Sequence, residues 1–157
     1  MDHLIDRPAF EERVSFQFAD MRKVKSLRHE PVDFLWSSCA FEHLGSLKAG
    51  MDFVCDAMRL IRPGGIAVHT TEYNVSSNNQ TVKRGTNVIY RKRDIEELSF
   101  RLQSVRSGLE EPNFDPGNHA FDLDPDIPPY ETTGRHHIKL VLSGFVSTSM
   151  LLIIRKG

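Results

Sequence analysis

The stretch that most constrains the fold runs from Val32 to Tyr73. It opens on an apolar run, Val32-Asp33-Phe34-Leu35-Trp36, and apolar residues then recur at Leu47, Met51, Val54, Met58 and Ile61, in steps of four, three, four and three. That spacing lines one face of a helix of about four turns. Ser46 stands where an N-cap belongs, and Pro63-Gly64-Gly65 stops the helix before a second apolar run, Ile66-Ala67-Val68. A strand joined through a helix to another strand after so short a link predicts a parallel βαβ unit. Polar and ionisable side chains gather after each strand, in Ser37-Ser38-Cys39 with Glu42-His43 and in His69 to Glu72. The rim of such a unit is where open α/β sheets bind ligands. Residues 32–36 are apolar except for Asp33, which predicts a central strand covered by helices on both faces, with Trp36 in the core rather than stacked on a ligand.

Around this unit, residues 1–13 read as a polar connector or as the end of a helix. Residues 14–18 alternate apolar and polar, which predicts a short strand, and it ends in Ala19-Asp20-Met21. A basic link over 22–30, helical or looped, leads to Pro31. Residues 74–80 are rich in Ser and Asn and predict a loop, and 88–90 form a short β-like run. Asp94, with Glu97 three residues on, predicts the start of a second helix whose buried stripe is Ile95, Leu98, Leu102 and Val105. Residues 110–134 hold five of the eight prolines and predict a long loop. Residues 137–142 and 146–154, separated by Ser143-Gly144, predict a C-terminal antiparallel hairpin whose last stretch, 150–154, is buried on both faces. The expected class is α/β, with a βαβ core and that hairpin in one domain spanning 1–157.

A chain of 157 residues has room for one such domain. Its formal net charge of −1 gives no bulk attraction for nucleic acid or an anionic membrane. No apolar run approaches the roughly 20 residues of a spanning helix, and the acidic N-terminus does not resemble a secretory leader. Two cysteines make neither a disulfide framework nor a zinc knuckle, so a reducing cytoplasm is the expected location.

Three motifs in succession resemble the class I S-adenosylmethionine-dependent methyltransferases, in the later half of that fold, over about residues 14–156. Ala19-Asp20-Met21 is similar to the family's adenine-contacting acid motif. Residues 32–43, an apolar strand followed by Ser-Ser and Phe-Glu-His, are similar to its fourth-strand motif. Leu60-Ile61-Arg62-Pro63-Gly64-Gly65-Ile66 resembles its leucine-leucine-x-proline-glycine-glycine turn. The family's first two strands, its glycine-rich cofactor loop and its ribose-binding acid have no counterpart here. The expected fold is therefore a partial Rossmann-like sheet. In the family's strand order, residues 14–18 would lie at the far edge and residues 32–36 beside the missing first strand. The resemblance thus leaves 32–36 with an unpaired apolar edge, to be covered by residues 14–18, by self-association or by a complementing chain.

The resemblance also implies site residues. Asp20 and Met21 would meet the adenine of S-adenosylmethionine, with Ser37, Ser38 and Phe41 on the cofactor side. The plainer readings are a solvated acid at Asp20 and turn-capping hydroxyls at Ser37 and Ser38. His43, His69 and Glu72 are the catalytic candidates, with His43 as general base for a hydroxyl acceptor, because imidazole changes charge near neutral pH. Ubiquinone-pathway and small-RNA O-methyltransferases hold a divalent metal through a Glu placed three residues before a Glu-His pair. Here Cys39 takes that first position, which leaves Glu42 and His43 as weak metal candidates and no metal expected. The plainer reading makes Glu42 a helix cap and packs His43 at the strand end. The implied function is methyl transfer to a small-molecule or sugar hydroxyl or amine. The alternative is a noncatalytic, methyltransferase-like interaction module that cannot bind cofactor alone.

Overall fold

The computed structural model describes residues 5–132 and 134–157, apart from the side chain of Glu131. Thr133, within the expected long loop, and the first four residues of the connector lie outside the described residues. A short helix, α1 (Arg7–Arg13), is capped by Asp6, whose carboxylate accepts from the Ala9 amide. The βαβ unit follows. Strand β1 (Val32–Ser37) leads to helix α2 (Leu47–Ala57), one 3-10 turn continues it to Leu60, and β2 (Ile61–Asn74) runs parallel to β1. The Ser46 hydroxyl accepts from the Ala49 amide at 3.1 Å, the expected N-cap.

The Pro-Gly-Gly segment is part of β2. Between the pairs Val32–Ile61 and Phe34–Ile66, β1 advances two residues while β2 advances five, so three extra residues bulge out. Gly64 takes a positive φ of 80°, and a Cβ on Gly65 would stand 2.8 Å from the Asp33 carbonyl oxygen. Both glycines serve this local approach of the two backbones.

Helix α3 (Lys92–Gln103) begins two residues before the expected Asp94. Asp94 sits in its first turn and accepts from the Arg91 amide at 2.8 Å, so it closes the helix start from within. Ile95, Leu98 and Leu102 are fully buried as expected, and Val105 packs partly against them. Strand β3 (Ser107–Leu109) follows. The region expected as a long loop is irregular apart from a four-residue helix, α4 (Ala120–Leu123), and a 3-10 turn at Tyr130–Thr132. The expected hairpin closes the chain as β4 (Lys139–Leu142) and β5 (Phe145–Lys156).

The sheet runs β1-β2-β5, with β5 antiparallel to β2, and β3 and β4 pair with the two ends of the other edge of β5. It is a five-stranded mixed sheet with one parallel pair. Its inner face carries Ala67, His69, Thr71, Tyr73, Met150, Leu152 and Ile154, and these pack in one core with α2 and α3. The outer face carries Phe34, Trp36 and Leu151, which are 54%, 69% and 52% exposed.

Three expectations are corrected here. Strand β1 is an edge strand with one face uncovered, so Trp36 lies on the surface and outside the core. Strand β5 is buried on one face only, with Leu151 on the outer side half exposed. Residues 14–18 form no strand and do not cover the edge of β1. Their alternation satisfies the local preference, but a strand needs a paired neighbour; Phe16 and Phe18 stand 82% and 95% exposed, ring against ring.

Candidate functional site at the ends of the first two strands

Strand β2 outruns β1 by five residues, since their pairing ends at Ser37–His69 while β2 continues to Asn74. Following segments occupy the vacated edge. The Cys39 amide donates to the Thr70 carbonyl (3.2 Å) and to the Thr70 hydroxyl (3.0 Å). Further along, the Val88 amide donates to the Glu42 carbonyl, and Tyr90 exchanges backbone hydrogen bonds with Glu72 and Asn74. The 3-10 turn Phe41–His43 is thereby wedged between the edge of β2 and residues 88–90. Burial follows from that wedge.

Glu42 is fully buried. Its Oε2 accepts from the Thr71 hydroxyl at 3.2 Å, and its Oε1 has no hydrogen-bond partner. Desolvation is the largest influence on this carboxyl and holds it above the usual range. Glu72, on the outer face of β2, accepts through Oε2 from the Ser147 hydroxyl on β5. One donor atom each from Cys39, Glu42 and Glu72 lies within 4.8 Å of the other two. Cys39 itself adopts a positive φ of 42°, a conformation that non-glycine residues seldom take.

His69 points the other way, onto the inner face. It is fully buried, with Phe41 and Phe53 edge-on at centroid distances of 6.0 and 5.9 Å. Its Nδ1 is 2.7 Å from the Ser37 hydroxyl, and its Nε2 has no partner. Burial pushes its pKa down to about 4, so the ring is neutral at physiological pH. Phe41 is likewise sealed in the core against Tyr90. Ser38 is exposed and accepts from the Thr70 hydroxyl at 3.3 Å.

The remaining candidates face an open cleft of about 740 Å³ bounded by Ala19–Arg22, His43–Gly45 and Gly85–Thr86. Asp20 caps the 3-10 helix Met21–Ser26 and binds its own neighbour: the Arg22 Nε and Nη2 donate to its two oxygens at 3.0 and 3.1 Å. Those hydrogen bonds hold its carboxyl below the usual range. His43 is exposed, and its Nδ1 lies 2.7 Å from the Thr86 carbonyl. A carbonyl only accepts, so Nδ1 carries the proton and Nε2 keeps its lone pair.

The structure therefore divides the expected site in three. Asp20, Met21 and His43 share a cleft. Glu42 and Glu72 meet at the edge of β2, joined by Cys39, a residue that sequence reasoning treated only as a lost ligand. His69, Ser37 and Phe41 belong to the buried side. What the sequence did not suggest was Glu72, thirty positions further on, as the third member of that group.

The structure of the [4+2]-cyclase SpnF aligns with 95% of this chain, at a TM-score of 0.56 and 15% identity. The fold is class I methyltransferase-like. The chain spans 59% of the cyclase's length. Two structures of TTHA0409 from Thermus thermophilus, a putative DNA modification methylase and in one case complexed with S-adenosyl-L-methionine, align over 88% of the chain, at TM-scores of 0.39 and 0.40 and 16% and 17% identity. Each match covers 51% of the methylase, and likeness at that level carries no argument. No model of a known protein family matches the methyltransferase-like domain, and no curated protein does.

Proposed function

We propose that the chain is the acceptor-side portion of an S-adenosylmethionine-dependent methyltransferase acting on a small-molecule or sugar hydroxyl or amine in a reducing cytoplasm. The observation that carries this reading is the cleft just past the end of β1 that brings His43 together with Asp20 and Met21, on a methyltransferase-like fold. When bound, S-adenosylmethionine supplies a methyl group on a sulfonium centre. The part of this chain is to hold the acceptor and take its proton at Nε2 of His43, the nitrogen left free by the hydrogen bond to Thr86. Met21 offers an apolar wall of the same cleft for the adenine. The described residues fit the cofactor only in part: residues 5–44 hold no glycine, so they form no glycine-rich turn to cradle a methionine moiety.

Calorimetric titration of the chain with S-adenosylmethionine and with its demethylated product tests the reading. Weak but saturable heat is expected for both ligands. Flat heats at millimolar ligand, with the fold intact by circular dichroism, would sink cofactor binding by this chain.

A noncatalytic module is the second reading, favoured by the closure of Asp20 on Arg22 and by the uncovered edge and outer face of β1. A fold alone does not fix a reaction. Both readings share a partner surface: β1 would be completed by a second copy or by a complementing chain.

A further inference from the structure

We infer that Cys39, Glu42 and Glu72 form a binding site for one borderline divalent cation, with Zn2+ the fitting class. The site goes beyond the methyl-transfer reading and stands without it. Three donors of the right kinds converge: a thiol sulfur and two carboxylates, each within 4.8 Å of the others. Separately, Glu42 is fully buried and keeps Oε1 without a hydrogen-bond partner. A buried carboxylate oxygen left unmatched is costly. Among the described residues, neither Glu42 nor Glu72 takes part in an ion pair. A dication in their midst supplies the missing partner.

The surroundings supply what ligands of a metal need. The Thr71 hydroxyl holds Oε2 of Glu42, and the Ser147 hydroxyl holds Oε2 of Glu72, so each carboxylate is oriented by a donor from the sheet. Cys39 is fixed by two hydrogen bonds from its amide to Thr70. The donor set selects the ion. Magnesium and calcium prefer oxygen alone, whereas one sulfur with two carboxylates suits Zn2+ or Co2+. Binding converts the Cys39 thiol to a metal-bound thiolate and releases its proton to solvent. Three protein ligands leave a fourth position of a tetrahedral ion for water or another oxygen donor, the arrangement of open rather than structural zinc sites.

Cobalt reports the site directly, because a thiolate bound to Co2+ gives a charge-transfer absorption that carboxylates do not. Titrating the folded chain with Co2+ should build that absorption to saturation at one equivalent, and Zn2+ should displace it. Cys39→Ser should abolish the absorption, Cys55→Ser should keep it, and Glu42→Gln should weaken Co2+ binding at least tenfold. A second measurement needs no variant: Zn2+, but not Mg2+, should slow the reaction of Cys39 with a thiol reagent, read by mass spectrometry of the labelled peptide. No thiolate absorption at saturating Co2+, the same absorption in Cys39→Ser, or unchanged labelling in Zn2+ would each overturn the site. None of these readouts depends on S-adenosylmethionine, so a failed cofactor titration leaves them standing and their failure leaves that titration standing.

Discussion

His69 is a neutral imidazole sealed between two phenylalanines, and its burial makes the fold sensitive to acid. Its pKa is about 4 in the folded chain against an ordinary 6.5. Between those values the unfolded chain binds a proton that the folded chain lacks, so stability falls as pH drops from 6.5 to 4, by on the order of 3 kcal/mol in all. Glu42 has the opposite sign: its raised carboxyl pKa removes stability as pH climbs past its ordinary 4.5. Thermal melts of the chain and of His69→Gln between pH 7.5 and 4.5 separate the two, since Glu42 contributes to both proteins. The wild-type melting temperature should drop more steeply toward acid. Gly50 is a second residue under tight control. A Cβ there would lie 2.7 Å from the Phe41 carbonyl oxygen and would strike the Tyr90 hydroxyl. Gly50→Ala should therefore cost about 1–3 kcal/mol, read as a lower urea midpoint. The residue types at the strand ends were plain in the sequence; their grouping was not. Glu42 and Glu72 are thirty positions apart, and what joins them is the extra length of β2 beyond β1.

Among the elements, the βαβ unit and the hairpin were legible because their periodicities, near 3.6 for α2 and 2 for the strands, are properties of local sequence. Residues 14–18 show the limit of that rule, since their alternation has no ladder to join. The start of α3 was misplaced for a related reason: an acid three residues before another looks like a cap, but Asp94 works one turn inside. It is also half of a buried pair. The Arg91 Nε and Nη2 reach its two oxygens at 2.7 and 2.8 Å, and the Arg91 Nη1 continues to the Asn79 carbonyl at 2.7 Å, tying loop 75–90 to the helix. Asp94→Ala would leave a buried guanidinium uncompensated and should cost about 3–5 kcal/mol. Hydrogen exchange should show the loss spreading to amides of residues 76–81, which an effect confined to α3 would spare.

At the scale of the molecule and among the described residues, α2 and α3 pack on one face of the sheet, and the other face stands open beside a free edge. Asp33, paired with Arg62, is the charge that interrupts this edge strand. Trp36, the sole tryptophan, lies on the open face and reports on it. In dilute solution its emission should be that of a solvated indole, readily quenched by acrylamide. Raising the protein concentration should shift the emission to shorter wavelength as light scattering registers a larger particle, and Trp36→Lys should abolish the rise in scattering. A constant mass with unchanged emission would argue against self-association and point to a complementing chain. The central position expected of β1 misled because the residues suit a strand with two neighbours, and only one is present. The open face also dictates how the protein behaves as a colloid. With a formal net charge of −1, molecules repel one another weakly near neutral pH, so sodium chloride has little repulsion to screen. Sulfate, which drives apolar surface out of water, should precipitate the chain at low concentration, and Trp36→Lys should raise that threshold.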